Sequence, residues 1–180
     1  MEHKIETERL LLRPLIKSDI AFMQALMERQ ESYQYETETP KPKAEIKKQC
    51  RWYMKRAAAL PDEGAIRWVV IHDGVRIGEV HVTCNWEQTL EWEIGWYFLA
   101  EYWGKAFASE ASKAVIAYAF AHFKVNRLAA FINAENKRSA ALAGRAGMVL
   151  EGRLRETRLV QGTYCDEYVF SLLKRDYIQD

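Results

Sequence analysis

Residues 89–123 constrain the fold more than any other stretch. From Thr89 to Phe98 the side chains alternate, with Trp92, Ile94, Trp96 and Phe98 on one face and Glu91, Glu93, Gly95 and Tyr97 on the other. This is the period-2 pattern of a half-buried strand. The strand runs into Tyr102-Trp103-Gly104-Lys105-Ala106-Phe107-Ala108-Ser109-Glu110-Ala111, a loop rich in small residues, and then into a helix over residues 109–123. An apolar strand near Arg127 to Ile132 follows, which makes a βαβ crossover.

The loop has the composition of a phosphate cradle. Gly104, Ala106 and Ala108 leave backbone N–H groups approachable, and the unpaired N–H groups of the following helical turn add partial positive charge. The Lys105, Lys137, Arg138 and Arg145 side chains are available for phosphate charge.

The rest of the chain supplies a sheet and its cover. Residues 5–15 read as a strand, and Ser18 or Asp19 can cap a helix whose Ile20, Met23, Leu26 and Met27 share a face. A polar loop over 36–43 carries Pro40 and Pro42 and leads to a second helix over 44–59. Asp73-Gly74 joins two strand-like runs, Trp68–Ile71 and Val75–Val82, as a hairpin. A helix over 136–146 and a terminal hairpin across Gln161-Gly162 complete the order βααβββαβαββ. Grouped strands with one crossover give an α/β (α+β) fold, a mixed, mostly antiparallel sheet of about seven strands with helices on both faces.

At 180 residues with 49% hydrophobic content, the chain suits one sizeable core, so a single domain over 1–180 is expected. Lys plus Arg number 26 and Asp plus Glu 25, a balance that gives no reason to expect nucleic-acid or membrane attraction. There is no signal-peptide core and no apolar run near the roughly 20 residues of a spanning helix, so a cytoplasmic protein is expected. Cys50, Cys84 and Cys165 form no C-x-x-C pair, and the four histidines have no metal-ligand spacing, so no metal is expected.

Taken with Asn133-Ala134-Glu135-Asn136-Lys137-Arg138-Ser139 leading to Gly147-Met148, the strand, loop and helix resemble the GCN5-related N-acetyltransferases (GNAT). Thr7-Glu8-Arg9-Leu10-Leu11-Leu12-Arg13-Pro14, Gly162-Thr163-Tyr164-Cys165-Asp166 and Tyr168–Leu173 narrow the resemblance to the RimJ/RimL-like branch. It implies the GNAT fold and acetyl-CoA as co-substrate, bound by Tyr97, Phe98, Leu99, Trp103, Gly104, Lys105, Ala106, Phe107, Ala108, Ser109, Asn136, Arg138 and Arg145. In the family pattern Q/R-x-x-G-x-G/A, Trp103 takes the first position and Ala106 replaces a usual glycine. That alanine donates the same N–H provided its φ is negative.

The resemblance also implies catalytic roles. Asn136 would border the pantetheine arm as well as cap its helix. Ser139 would face the thioester sulfur and assist the departing thiolate. The tyrosine that many relatives use for this is Ala143 here, the usual aromatic five residues on is Met148, and Tyr164 is a further candidate. Glu93, aligned with the family's Glu-Ile-Gly, is the first choice of general base, on a strand face whose neighbour brings Glu79 and His81. A solvated or internally paired polar face is the alternative. Backbone N–H groups near Tyr97 to Leu99, where the family strand splays away at a bulge, would polarise the carbonyl. Trp52, Tyr53, Tyr33 and Tyr35 would wall the acceptor groove, and Glu31, Glu36 and Glu38 would draw in a basic acceptor. The implied reaction is direct acetyl transfer to a primary amine, most of all a protein N-terminal α-amine. Polyamines or aminoglycosides are the alternative acceptors, a non-catalytic acyl-CoA-binding module is the alternative class, and a homodimer is expected from relatives.

Overall fold

The computed structural model describes residues 3–36, 40–60 and 64–177. Its sheet has eight strands in the order β1-β2-β3-β4-β5-β6-β8-β7. They are β1 (Ile5–Glu6), β2 (Leu11–Pro14), β3 (Ala65–His72), β4 (Val75–Trp86), β5 (Glu91–Phe98), β6 (Arg127–Asn133), β7 (Val149–Val160) and β8 (Thr163–Leu173). Every neighbouring pair is antiparallel except β5 and β6. The mixed sheet thus takes the expected form.

The extra strand comes from residues 5–15. Instead of one strand they fold back on themselves, with Ile5 opposite Leu12 and Glu6 opposite Leu11. The Thr7 N–H donates to the Leu10 carbonyl at 2.9 Å, and the Leu10 N–H donates to Thr7 Oγ1 at 3.0 Å, closing a tight turn that a hydrophobic pattern alone does not reveal.

Helices cover both faces. On one, α4 (Phe107–His122) and α5 (Lys137–Arg145) pack on Ile66, Trp68, Val70, Val80, Val82, Trp92 and Ile94. On the other, α1 (Ile20–Met27) and α3 (Lys43–Arg56) pack on Ala65 and Val69 through Met23, Ile46, Cys50 and Tyr53. Consecutive β3 residues therefore serve opposite cores, as the pleat dictates. Two short helices, α2 (Gln30–Tyr33) and α6 (Lys174–Tyr177), were not expected from periodicity.

The N-terminus of α1 does not carry the expected side-chain cap. The helix has no side-chain cap bond, because Asp19 is fully buried and takes two bonds from Arg13, at 2.6 and 2.8 Å, and one from Arg76 at 2.8 Å. Among the described residues, no helix is long and apolar enough to cross a membrane.

One feature of the sheet positions the site. The parallel contact between β5 and β6 covers only Glu91–Arg127, Trp92–Leu128 and Glu93–Ala129. Beyond Glu93 the two strands separate, while β5 stays paired with β4 through Phe98. The splay, not a bulge, opens the sheet at the end from which the loop to α4 departs.

Candidate active site

The divergence of β5 and β6 opens into a cavity of about 650 Å³. Its walls are the end of β5, the loop to α4, the first turn of α4, one side of α5 from Lys137 to Arg145, and the segment around α2. Of the residues expected to hold the cofactor, Tyr97, Phe98, Trp103, Gly104, Ala106, Phe107, Ala108, Ser109, Asn136, Arg138 and Arg145 line it. Ser139 lines it as well, beside Leu142 of the same helix.

Leu99 and Lys105 do not. The Leu99 N–H is engaged by the Ile77 carbonyl at 3.0 Å, which leaves it unable to polarise a bound carbonyl. Lys105 points its ammonium toward the Tyr102 ring, 5.3 Å from the centroid, and its carbonyl accepts from Arg9 Nη1 at 3.1 Å.

The loop is built as an anion nest. Gly104 has φ 75° and Ala106 has φ 63°, ψ 4°, so left-handed residues alternate just before the helix. Ala106 is the residue preceding α4 and supplies no side-chain cap, so the first-turn N–H groups face the cavity without a partner from their own chain end. The condition of negative φ at Ala106 is not met. Its methyl group instead occupies the conformation that glycine tolerates without cost. A Cβ at Gly104 would meet nothing within 4 Å, so at that position the backbone angle alone calls for glycine.

Three side-chain contacts shape this wall. Trp103 Nε1 donates to the Phe98 carbonyl at 2.9 Å, fastening the loop to the strand end. Arg138 lies 4.0 Å over the Trp103 ring, and Arg145 Nε donates to Ser109 Oγ at 3.1 Å, tying the end of α5 to the start of α4. The two guanidinium groups, the nest and the helix start form a donor set that suits a diphosphate.

Asn136 caps α5, its Oδ1 accepting from the Ser139 N–H at 3.1 Å. The Ser139 hydroxyl oxygen accepts from Trp96 Nε1 at 3.3 Å. That bond occupies a lone pair and leaves the hydroxyl proton free to donate into the cavity. Tyr164, the alternative donor, is 66% exposed on the terminal hairpin and lines neither this cavity nor the smaller one beside it.

A second cavity of about 280 Å³ adjoins the first, and Ser32, Glu36 and Tyr97 line both. Tyr33 and Tyr53 wall it, Tyr35 lies in the first cavity, and Trp52 stands outside both, edge-on to Tyr53 at 4.9 Å. Glu31 lines the first cavity, and Glu36 is paired with Arg158 at 3.0 Å. Glu38 lies outside the described residues.

On the floor of the second cavity, Arg67, His81 and Tyr97 meet, with the fully buried Glu79 beneath them. Arg67 of β3, Glu79 and His81 of β4 and Tyr97 of β5 follow from the register Arg67–His81, Glu79–Tyr97 and His81–Gly95. Arg67 Nε lies 3.3 Å from Glu79, both side chains being buried. Burial, reinforced by Glu36 and Glu79, pushes the Tyr97 phenol well above its usual range, so it is a neutral donor. Glu93 lines neither cavity, its carboxylate accepting from Asn85 Nδ2 at 2.9 Å. Glu91 is taken by Arg127 at 2.7 Å. Nothing in the local sequence pattern marks Arg158, and little marks Arg67. The one available signal was a lone arginine inside the apolar run Ala65-Ile66-Arg67-Trp68-Val69-Val70.

A family model described as "Acetyltransferase (GNAT) domain" matches residues 9–149. The chain belongs to the GNAT acetyltransferases. Among curated GNAT relatives, the "Uncharacterized N-acetyltransferase p20" of Bacillus licheniformis is 41% identical over 85 residues, 47% of this chain and 48% of that protein. The "Putative ribosomal N-acetyltransferase YdaF" of Bacillus subtilis (strain 168) is 30% identical over 116 residues, 64% of this chain and 63% of that protein. The matched stretch thus spans between about half and two thirds of these two relatives. Two solved GNAT structures share the fold. RimL, described as a ribosomal L7/L12 alpha-N-protein acetyltransferase in complex with Coenzyme A, superposes with TM-score 0.84 at 15% identity, over 95% of this chain and 98% of that one. Spermidine N-acetyltransferase from Vibrio cholerae, in complex with CoA and spermine, gives 0.81 at 24% identity, over 96% and 99%.

Proposed function

We propose that this chain is an acetyl-CoA-dependent N-acetyltransferase that passes the acetyl group directly to a primary amine, the N-terminal α-amine of a protein. The observation that carries the reading is the junction of two cavities at Tyr97. One is lined by the nest before α4, which suits a diphosphate, and the other is a smaller chamber lined by Tyr33, Tyr53 and Tyr97 that would take an amine. Acetyl-CoA laid along the first presents its thioester to the second, and holding amine and thioester together supplies much of the acceleration.

The chain's own groups divide the work. The nest, Arg138 and Arg145 bind phosphate, Asn136 and α5 border the arm, and the Ser139 hydroxyl donates to the departing thiolate. No covalent enzyme intermediate is required.

Ionisation favours an α-amine. With a pKa near 8, about a tenth of it is unprotonated at pH 7, against a few parts in ten thousand for a lysine amine near 10.4. The RimL likeness points the same way. The likeness to spermidine N-acetyltransferase supports a polyamine as second reading, with Glu31 as a carboxylate at the cavity wall. The same reading includes a single domain over 1–180, a cytoplasmic setting and a homodimer, as the composition and the family resemblance imply.

The test is to incubate the protein with acetyl-CoA and, separately, a basic peptide with N-terminal alanine or spermidine, following thiol release and product mass. Acetylation of the peptide α-amine, weakening as salt rises, is expected. Modification of spermidine alone would overturn the acceptor and leave acetyl transfer standing. Thiol release with neither would favour a non-catalytic acyl-CoA-binding module.

A further inference from the structure

We propose that His81 is the proton acceptor for the incoming amine, with Glu79 as its positioning residue; the inference rests on the acetyl-transfer reading above. Three geometric facts carry it.

The first is the hydrogen bond of the ring. His81 Nδ1 lies 3.1 Å from each Glu79 carboxylate oxygen. An ionised carboxylate only accepts, so Nδ1 carries the proton and Nε2 the lone pair. Glu79 is itself fixed, being fully buried and flanked by Arg67.

The second is the seat of the ring. His81 stands opposite Gly95, and a Cβ on Gly95 would lie 2.6 Å from both Cε1 and Nε2. The glycine thus gives the imidazole its place, with its basic nitrogen over β5. Tyr97, two residues further along the same face, is where the cavities join.

The third is access. His81 lines the second cavity, where an acceptor amine would wait. The other groups facing it leave it the available base. Tyr97 is a neutral phenol, Arg67 stacks 4.2 Å over Tyr53 as a permanent cation, and Tyr53 meets the His81 ring edge-on at 5.6 Å. From α3, the Cys50 thiol is pushed up by burial and stays protonated. Glu36 is paired with Arg158, Lys41 lies at the cavity wall, and Glu93 lies beyond Gly95 with its carboxylate on Asn85.

The proton balance is simple. The substrate ammonium gives one proton to Nε2, directly or through a water. The freed nitrogen pair forms the C–N bond, the C–S bond breaks with its pair on sulfur, and the second nitrogen proton ends on that sulfur. His81 returns its proton to solvent, so each turnover releases one.

The test compares His81→Gln, Glu79→Gln and Glu93→Gln, using an N-terminal-alanine peptide and spermidine as acceptors. At pH 7 His81→Gln should lower kcat/KM for the acceptor about 100-fold, the deficit shrinking toward pH 9.5 as free amine becomes abundant. CoA affinity by calorimetry should stay within about twofold, which reports an intact fold, and Glu93→Gln should also stay within about twofold in rate. A loss uniform across pH, or one that follows Glu93→Gln instead, would overturn the assignment. Nitrogen NMR of labelled imidazole in the CoA-bound protein gives a readout without turnover. The Nδ1–H tautomer is expected for His81, shifting toward Nε2–H in Glu79→Gln, and an Nε2–H tautomer in the unaltered protein would refute it. Failure of both acceptors counts against the proposed function, whereas the tautomer bears on His81 separately.

Discussion

The methyl group of Ala106 sits where a glycine would be at ease. A left-handed alanine costs about 1–2 kcal/mol, of which glycine's greater freedom in the unfolded chain returns roughly half. Ala106→Gly should therefore gain about 0.5–1 kcal/mol, raising the melting temperature by roughly 1–3 °C, with CoA bound as tightly or more so by calorimetry. Ala106→Glu should abolish CoA binding by steric block and repulsion from the diphosphate while circular dichroism shows a folded chain. Retained affinity in that variant would remove the cradle assignment. The small residues at 104, 106 and 108 made the loop legible in the sequence, but the sign of φ did not follow from them. Arg9 bonds the Lys105 carbonyl from 96 residues away, and no local pattern reports such a contact.

At the scale of elements, the β1–β2 hairpin acts as a brace for the cradle. Glu110, in the first turn of α4, accepts from Thr7 Oγ1 at 2.6 Å, from the Arg9 N–H at 3.0 Å and from Arg9 Nε at 2.7 Å. Burial alone would raise the Glu110 carboxyl, but these bonds outweigh it and hold the group below its usual range. Arg9 also lies 4.6 Å over the Phe107 ring. Arg9→Ala should therefore weaken CoA binding about tenfold, some 1.4 kcal/mol, with kcat at saturating acetyl-CoA little changed. A fall in kcat with unchanged CoA affinity would contradict the brace. In the sequence, Thr7 to Pro14 read as a strand and a family marker. Its mechanical part emerges only when the turn at Thr7–Leu10 brings it against α4. The helices and central strands were legible from period and turn residues, whereas the splay of β5 from β6 left no trace in either strand's own pattern.

For the whole molecule, the charged cluster at Asp19 sets a pH limit. Burial would raise this carboxyl, but bonds from Arg13, the Ile16 N–H and Arg76 outweigh it and lower its pKa in the folded state. A depressed folded pKa means that the stabilisation is fully present above the unfolded value near 3.9 and is lost as pH falls through the folded one. Melting temperature should thus drop below about pH 4, and Asp19→Asn should lower it at neutral pH while flattening that acid dependence. Removing the carboxylate leaves Arg13 short of its partner, at a cost of about 3 kcal/mol; a variant as stable as the parent at pH 7 would show the cluster to be idle. Composition made a balanced surface legible but not which charges lie inside, because Asp19, Arg67 and Glu79 are placed by register across strands. The three-residue parallel contact between β5 and β6 has a last consequence. It is the seam between a five-stranded leaf and a three-stranded leaf, and the larger cavity is the gap where that seam stops. A molecule wedged there touches both leaves at once and works as a rivet, so occupancy and cohesion of the two leaves are coupled by construction.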